Sequence, residues 1–255
     1  MNIKKHIPNT ITLGNLLCGC LAIVKAFEGN LVWSAYLVGI ALVLDFFDGF
    51  TARMLKVSSA IGKDLDSLAD VVTFGVVPGV VMFHLLSNAL SIVLHGELAT
   101  EGWIKNLPAF SSVPYLAFII AIFSCVRLAK FNNDTRQSDS FIGLPTPANA
   151  MVICSIPLIM QFQSDLTFMN GLFSNVWFLC ALSLVMSLLL VAEIPLFALK
   201  FKSFAWSSNR LVYIFITTSV VLFITLKFLA IPLVIILYIV LSVVNNIFLK
   251  PKIKA

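Results

Sequence analysis

Charge is what this sequence has least of. Only 11% of its 255 residues are charged, against about 25% in ordinary globular chains. Hydrophobic side chains make up 60% and the mean hydropathy is +1.01, which excludes a soluble domain. The short polar–apolar alternation of a membrane β-barrel is also missing. The apolar residues come instead in runs near the roughly 20 residues that a helix needs to cross a bilayer. Five cysteines (Cys18, Cys20, Cys125, Cys154, Cys180) are scattered without a CxxC pair, so neither a disulfide frame nor a zinc site is expected. No soluble domain, linker or low-complexity tract interrupts the chain. The expectation is an all-α polytopic membrane protein forming a single domain over 1–255.

Apolar segments fall at about 11–27, 31–53, 66–94, 114–131, 147–163, 175–198, 211–229 and 231–249, which makes about eight transmembrane helices. The breaks at 28–30 and 229–232 are tight, so segments one and two, and seven and eight, are expected to be hairpins. Asn15 interrupts the first run and no small-residue cleavage site follows it, so the basic N-terminus reads as part of a retained helix and not of a signal peptide. With that terminus inside, fourteen of the seventeen Lys and Arg lie on the inner side, and only Lys25, Lys105 and Lys227 lie outside. The net charge of +5 is therefore a membrane-orientation signal and not a sign of nucleic-acid binding. Both termini are expected in the cytoplasm, in a plasma (inner) membrane location.

Against this background the stretch Asp45–Asp70 stands out, because it concentrates carboxylates at the ends of two apolar runs. Ionisable groups at membrane depth are expensive and mark function by default. Asp45, Asp48, Gly49 and Ala52 share one helix face, and Gly62, Asp66 and Asp70 share another. Phe46, Phe47 and Phe50 point elsewhere. The connection between the two helices is short, so they are antiparallel neighbours and the two acidic rows can meet. Four adjoining carboxylates do not all stay ionised without cations. Hard oxygen ligands suit Mg²⁺ or Mn²⁺, or Ca²⁺, not zinc. Two such ions would hold a diphosphate and stabilise displacement at phosphorus. An ion-transport path would instead spread acidic residues through the bundle, whereas outside this stretch the apolar segments hold only Glu193.

Asp45-x-x-Asp48-Gly49-x-x-Ala52-Arg53, followed by Gly62-x-x-x-Asp66-x-x-x-Asp70, resembles the complete signature of the CDP-alcohol phosphatidyltransferases. The resemblance implies a six-helix core (about 1–198, leaving helices at about 211–249 as additions) and a homodimer. It also implies two divalent cations and transfer of a phosphatidyl or similar group from a CDP-linked donor to an alcohol, releasing CMP. It assigns Asp45, Asp48 and Asp66 to metal, Asp70 to metal and general base, and Asp48, Gly49, Ala52, Arg53 and Gly62 to the CDP pocket.

Four further stretches, Ile7–Gly19, Ser67–Pro78, Arg127–Asn132 and Phe141–Ala150, are similar to membrane-type phosphatidylserine synthases. This implies CDP-diacylglycerol and L-serine as substrates, with glycerol 3-phosphate or an inositol phosphate as alternative acceptors. Lys130 and Asn149 stand where close relatives are expected to carry Arg and Ala. Arg127 and Lys130 either snorkel to the inner surface or bind the acceptor carboxylate or donor phosphate. Asn9, Thr12 and Asn15 either hydrogen-bond the headgroup region or join helices. No histidine (His6, His84, His95) has a lysine two residues on, so the H-x-K-x-x-x-x-D chemistry of phospholipase-D-type synthases is excluded.

Overall fold

The computed structural model describes residues 6–57, 59–95, 112–133, 140–197 and 206–249. Lys4, Lys5, Lys105, Arg136, Lys200, Lys202, Lys250, Lys252 and Lys254, which enter the orientation argument, lie outside the described residues.

Helices α1 (His6–Phe27) and α2 (Leu31–Met54) form the expected hairpin. Its turn uses Gly29 at φ +78°, and Asn30 caps α2 by accepting from the Trp33 amide. A second tight turn, with Lys56 at φ 52°, leads to α3 (Ala60–Asp70), capped by Ser59. This helix continues without a break through a π turn (Val71–Val76) into α4 (Val77–His95). A two-turn 3₁₀ lead (Val113–Phe118) opens α5 (Ile119–Asn133). The remaining elements are β1 (Ser140–Ile142), α6 (Thr146–Phe162), α7 (Thr167–Phe173), α8 (Val176–Val191), β2 (Pro195–Phe197), α9 (Trp206–Leu226), a 3₁₀ turn (Lys227–Leu229), α10 (Ala230–Val244) and a terminal π turn (Asn245–Leu249).

A wide turn of the helix lies just before Pro78. Proline has no amide to donate to Phe74 and clashes with its carbonyl. The ladder there shifts register, and the Val77 amide reaches back to Val72. The π turn is also where neighbours come closest. A Cβ on Gly19 of α1 would lie 2.4 Å from Thr73 Oγ1, and one on Gly75 would lie 3.0 Å from Ser124 Cβ of α5. The α3–α4 rod is the most buried of the long helices. Its Phe74, Met82 and Leu86 pack with Ile120, Ile153 and Leu179 at the centre of the bundle. Large apolar side chains face outward on the other helices, among them Phe46, Phe47 and Phe50, as expected for surfaces in contact with lipid.

The architecture is that of an all-α membrane protein. Among the described residues, five helices are long and apolar enough to cross a bilayer, or six if α7 and α8, bent by 74°, count as one span. Two features separate this from a count of eight. Helix α6 has 17 residues, about 25 Å at 1.5 Å per residue. Helices α9 and α10 count as a single apolar stretch, Asn209–Ile247, although the chain turns where Lys227 takes φ 48° and the Phe215 and Tyr238 rings, one from each helix, meet at 5.6 Å, as in the hairpin expected between segments seven and eight. The sixth segment also differs from its expected extent of 175–198. Its helix ends at Val191, and 195–197 is an extended strand paired antiparallel with β1.

Candidate active site

Helical spacing alone decides which side chains α2 and α3 turn toward each other. Asp45 and Asp48 project from α2, and Asp66 projects from α3. One carboxylate oxygen of each lies within 4.8 Å of the other two. Asp48 and Asp70 are buried, and Asp45 and Asp66 are half-buried. Asp64, on the other face of α3, is exposed. Among the described residues, no Lys or Arg forms an ion pair with any of the four clustered aspartates. Three hard oxygen donors this close, partly withdrawn from water and unneutralised, fit a divalent cation.

Helix α1 completes the site with neutral donors. Thr12 Oγ1 donates to Asp48 Oδ2 at 2.6 Å, and Asn15 Nδ2 donates to Asp70 Oδ1 at 3.4 Å. Of the two readings open for these side chains, the structure thus shows the interhelix one, with two of the aspartates as partners. The Oδ1 of Asn15 is buried without a partner among the described residues. Asp70 is set apart from the three-carboxylate cluster and lies within electrostatic reach of Asp45 and Asp66.

An open cleft of ≈ 260 Å³ leads to the cluster. Its walls are Pro8, Asn9 and Thr12 of α1, Asp48, Gly49 and Ala52 of α2, Val57 and Ser59 of the turn, and Gly62, Lys63 and Asp66 of α3. A Cβ on Gly49 would meet nothing within 4 Å, so this glycine leaves open space above the acidic row. Gly62 is tighter, since its Cβ would lie 3.0 Å from Ser59 Oγ and 3.1 Å from Asn9 Oδ1.

Arg53 is exposed and absent from the cleft walls. Its Nε donates to Gly49 O at 3.0 Å, closing the last turn of α2. Lys63 lies in the cleft and was not singled out from the sequence. It donates to Asn132 O at 2.9 Å and so ties α3 to the end of α5.

Arg127 is buried, with Nη1 3.2 Å from Thr146 Oγ1. Its guanidinium lies over the Phe131 ring at 5.3 Å and is within electrostatic reach of Asp70. Burial rules out snorkelling for Arg127. Lys130, one turn on, is exposed and outside the cleft walls. Asn149 is fully buried, and neither polar atom of its side-chain amide finds a partner among the described residues. His84 packs edge-on against Phe27 and Phe83, and its Nε2 has no hydrogen-bond partner among the described residues.

Comparison with known proteins agrees with this geometry. The chain is 35% identical over 148 residues to the CDP-diacylglycerol–serine O-phosphatidyltransferase of Bacillus subtilis (strain 168), covering 58% of this chain and 73% of that protein. It is 28% identical over 250 residues to the enzyme of the same name from Helicobacter pylori (strain J99), covering 96% and 93%. It is 29% identical over 175 residues to the archaetidylserine synthase of Methanothermobacter thermautotrophicus, covering 66% of each. The family model described as CDP-alcohol phosphatidyltransferase matches residues 5–193, which takes in every aspartate of the cluster and the whole cleft. The chain belongs to the CDP-alcohol phosphatidyltransferase family.

Proposed function

We propose that this protein transfers the phosphatidyl group of CDP-diacylglycerol to the hydroxyl of L-serine, forming phosphatidylserine and CMP. The observation that carries the proposal is the meeting of the Asp45, Asp48 and Asp66 carboxylates at the floor of a cleft walled by small residues. Two divalent cations, Mg²⁺ or Mn²⁺ (Ca²⁺ being a third candidate), held by Asp45, Asp48, Asp66 and Asp70 would supply Lewis-acid stabilisation of the negative charge that develops on the phosphate and on departing CMP.

The chain's own residues do the rest. Gly49, Ala52 and Gly62 leave room for the CDP half of the donor, and Asp48 borders the same space. Asn9 and Lys63 offer polar contacts from the facing walls. Arg53 acts on the pocket from outside it, by fixing the Gly49 carbonyl. Asp70 lies next to the cluster and accepts a hydrogen bond from Asn15, a position suited to taking the proton from the serine hydroxyl. The serine oxygen then bonds to the lipid-linked phosphorus as the bond to the CMP oxygen breaks. Arg127, buried near Asp70, is the cation placed to receive the serine carboxylate. Lys130, exposed, has at most a long-range effect there.

The sequence supports several further parts of this reading. One domain spans 1–255, with a core of about 1–198 and added helices at about 211–249. Eight spans with both termini inside follow from the lysine and arginine distribution. The same orientation puts the site on the cytoplasmic face of the plasma membrane. Pairing into a homodimer rests on the family resemblance alone.

The test is CMP release by the purified protein given CDP-diacylglycerol and a panel of alcohols. Serine should exceed glycerol 3-phosphate and inositol phosphate by a wide margin. Comparable release with glycerol 3-phosphate would overturn the choice of acceptor.

A further inference from the structure

The last two helices lie beyond the matched residues 5–193, and the cleft is walled by α1, α2, α3 and their connecting turn. A series of hydrogen bonds, linked by a short stretch of backbone, nevertheless runs from α10 to Arg127, which is within electrostatic reach of Asp70. Strand β2 is held on two sides. On one side it pairs with β1, in the register Ser140↔Phe197, Phe141↔Leu196, Ile142↔Pro195. On the other, Tyr238 Oη of α10 donates to Phe197 O at 2.8 Å. Asn246 Nδ2, in the terminal π turn, donates to Pro195 O. The Leu196 side chain between them is buried against Phe215, Val234 and Tyr238 of the last two helices.

The segment that follows β1 is held just as firmly. The Gly143 amide donates to Ile194 O at 3.0 Å, and the Leu144 amide donates to Leu189 O at 2.9 Å. Gly143 has φ +76°, and a Cβ there would lie 2.6 Å from Leu190 O, so no other residue fits. Leu144 is buried against Val152 and Met186. Two residues later comes Thr146, whose hydroxyl receives Arg127 Nη1 at 3.2 Å.

We propose that Tyr238 and Asn246 are positioning residues, through which the C-terminal helices hold the 140–146 segment in register. That segment fixes Thr146 and hence Arg127 beside Asp70, on the acceptor side of the site. The proposal rests on the reading of Asp70 and Arg127 given above. It gives α9 and α10 a role in a site that they do not touch.

The test uses the full chain in lipid nanodiscs with Tyr238→Phe and, separately, Asn246→Ala. Rates are measured against serine and against CDP-diacylglycerol, alongside hydrogen exchange of the peptide spanning Gly143 and Leu144. Loss of one hydrogen bond corresponds to about a fivefold effect. Each variant should raise KM for serine by about fivefold, leave KM for CDP-diacylglycerol and the melting temperature as in the parent, and speed amide exchange at 143–144. Unchanged serine KM and unchanged exchange would overturn the proposal. So would a fall in kcat with a lowered melting temperature and both KM values fixed, since that marks a merely structural role. If the parent protein does not use serine, the proposed acceptor fails separately. Exchange at 143–144 then decides whether the brace exists, and exchange unaltered by Tyr238→Phe refutes it.

Discussion

Thr12 on α1 holds Asp48 on α2 through a 2.6 Å hydrogen bond between two buried side chains. One carboxylate oxygen is thereby fixed by a neutral donor, and the group keeps its negative charge for a cation. Such supporting contacts typically alter metal affinity by about 10–100-fold when removed. Thr12→Val, close in shape but without the hydroxyl, should raise the Mn²⁺ concentration for half-maximal activity about tenfold. At saturating metal, kcat should recover to within a few-fold of the parent. A metal titration of steady-state rates checks this, and an unchanged half-saturation point counts against the role of Thr12.

Asp70 differs from its three partners in its surroundings, accepting from Asn15 and lying within electrostatic reach of Arg127. A positioned general base contributes about 10²–10⁴-fold. Asp70→Asn should therefore lower kcat by at least about 10²-fold while CDP-diacylglycerol binding stays measurable by equilibrium titration. Normal turnover in this variant would remove the base assignment.

The donor set of the cluster consists of carboxylate oxygens, with no histidine or cysteine. Chelation by EDTA should abolish CMP release, and Mg²⁺ or Mn²⁺ should restore it. Activity that survives exhaustive chelation would contradict the metal site.

Two glycines near the site make opposite predictions. A methyl at Gly19 lands 2.4 Å from Thr73 Oγ1 and 3.2 Å from Thr73 Cα, so α1 must move away from the π turn, taking Asn15 with it. Gly19→Ala should cost about 1–3 kcal/mol of stability. A methyl at Gly49 meets no atom within 4 Å, and alanine is the better helix former by about 1 kcal/mol. Gly49→Ala should therefore melt no lower than the parent, yet raise KM for CDP-diacylglycerol by narrowing the cleft. Thermal melts in detergent, paired with donor titrations, separate the two.

What could be read from the sequence was what depends on local spacing. The pairs Asp45/Asp48 and Asp66/Asp70 lie one turn apart, so helical periodicity alone put them on shared faces and turned Phe46, Phe47 and Phe50 outward. Partners far apart in the chain were not legible in this way. Thr12 and Asp48 are 36 residues apart, and Asn15 and Asp70 are 55 apart. Nothing local shows that Thr12 and Asn15 of α1 point at the acidic rows and not at headgroups. Arg53 and Lys130 show the converse limit. Both carry the right charge close to the right motif, but one turns back on its own helix and the other faces outward. The β1–β2 pair was missed because each strand has three residues, too few for an alternating pattern to show.

The central claim is that serine receives the phosphatidyl group at the aspartate cluster, and incorporation of labelled L-serine into lipid tests it most directly. Purified protein given CDP-diacylglycerol, labelled serine and Mn²⁺ should produce chloroform-soluble labelled phosphatidylserine in step with CMP, one to one, and the Asp70→Asn protein should not. CMP release without label in the lipid fraction, or equal labelling by the parent and the variant, would contradict the account.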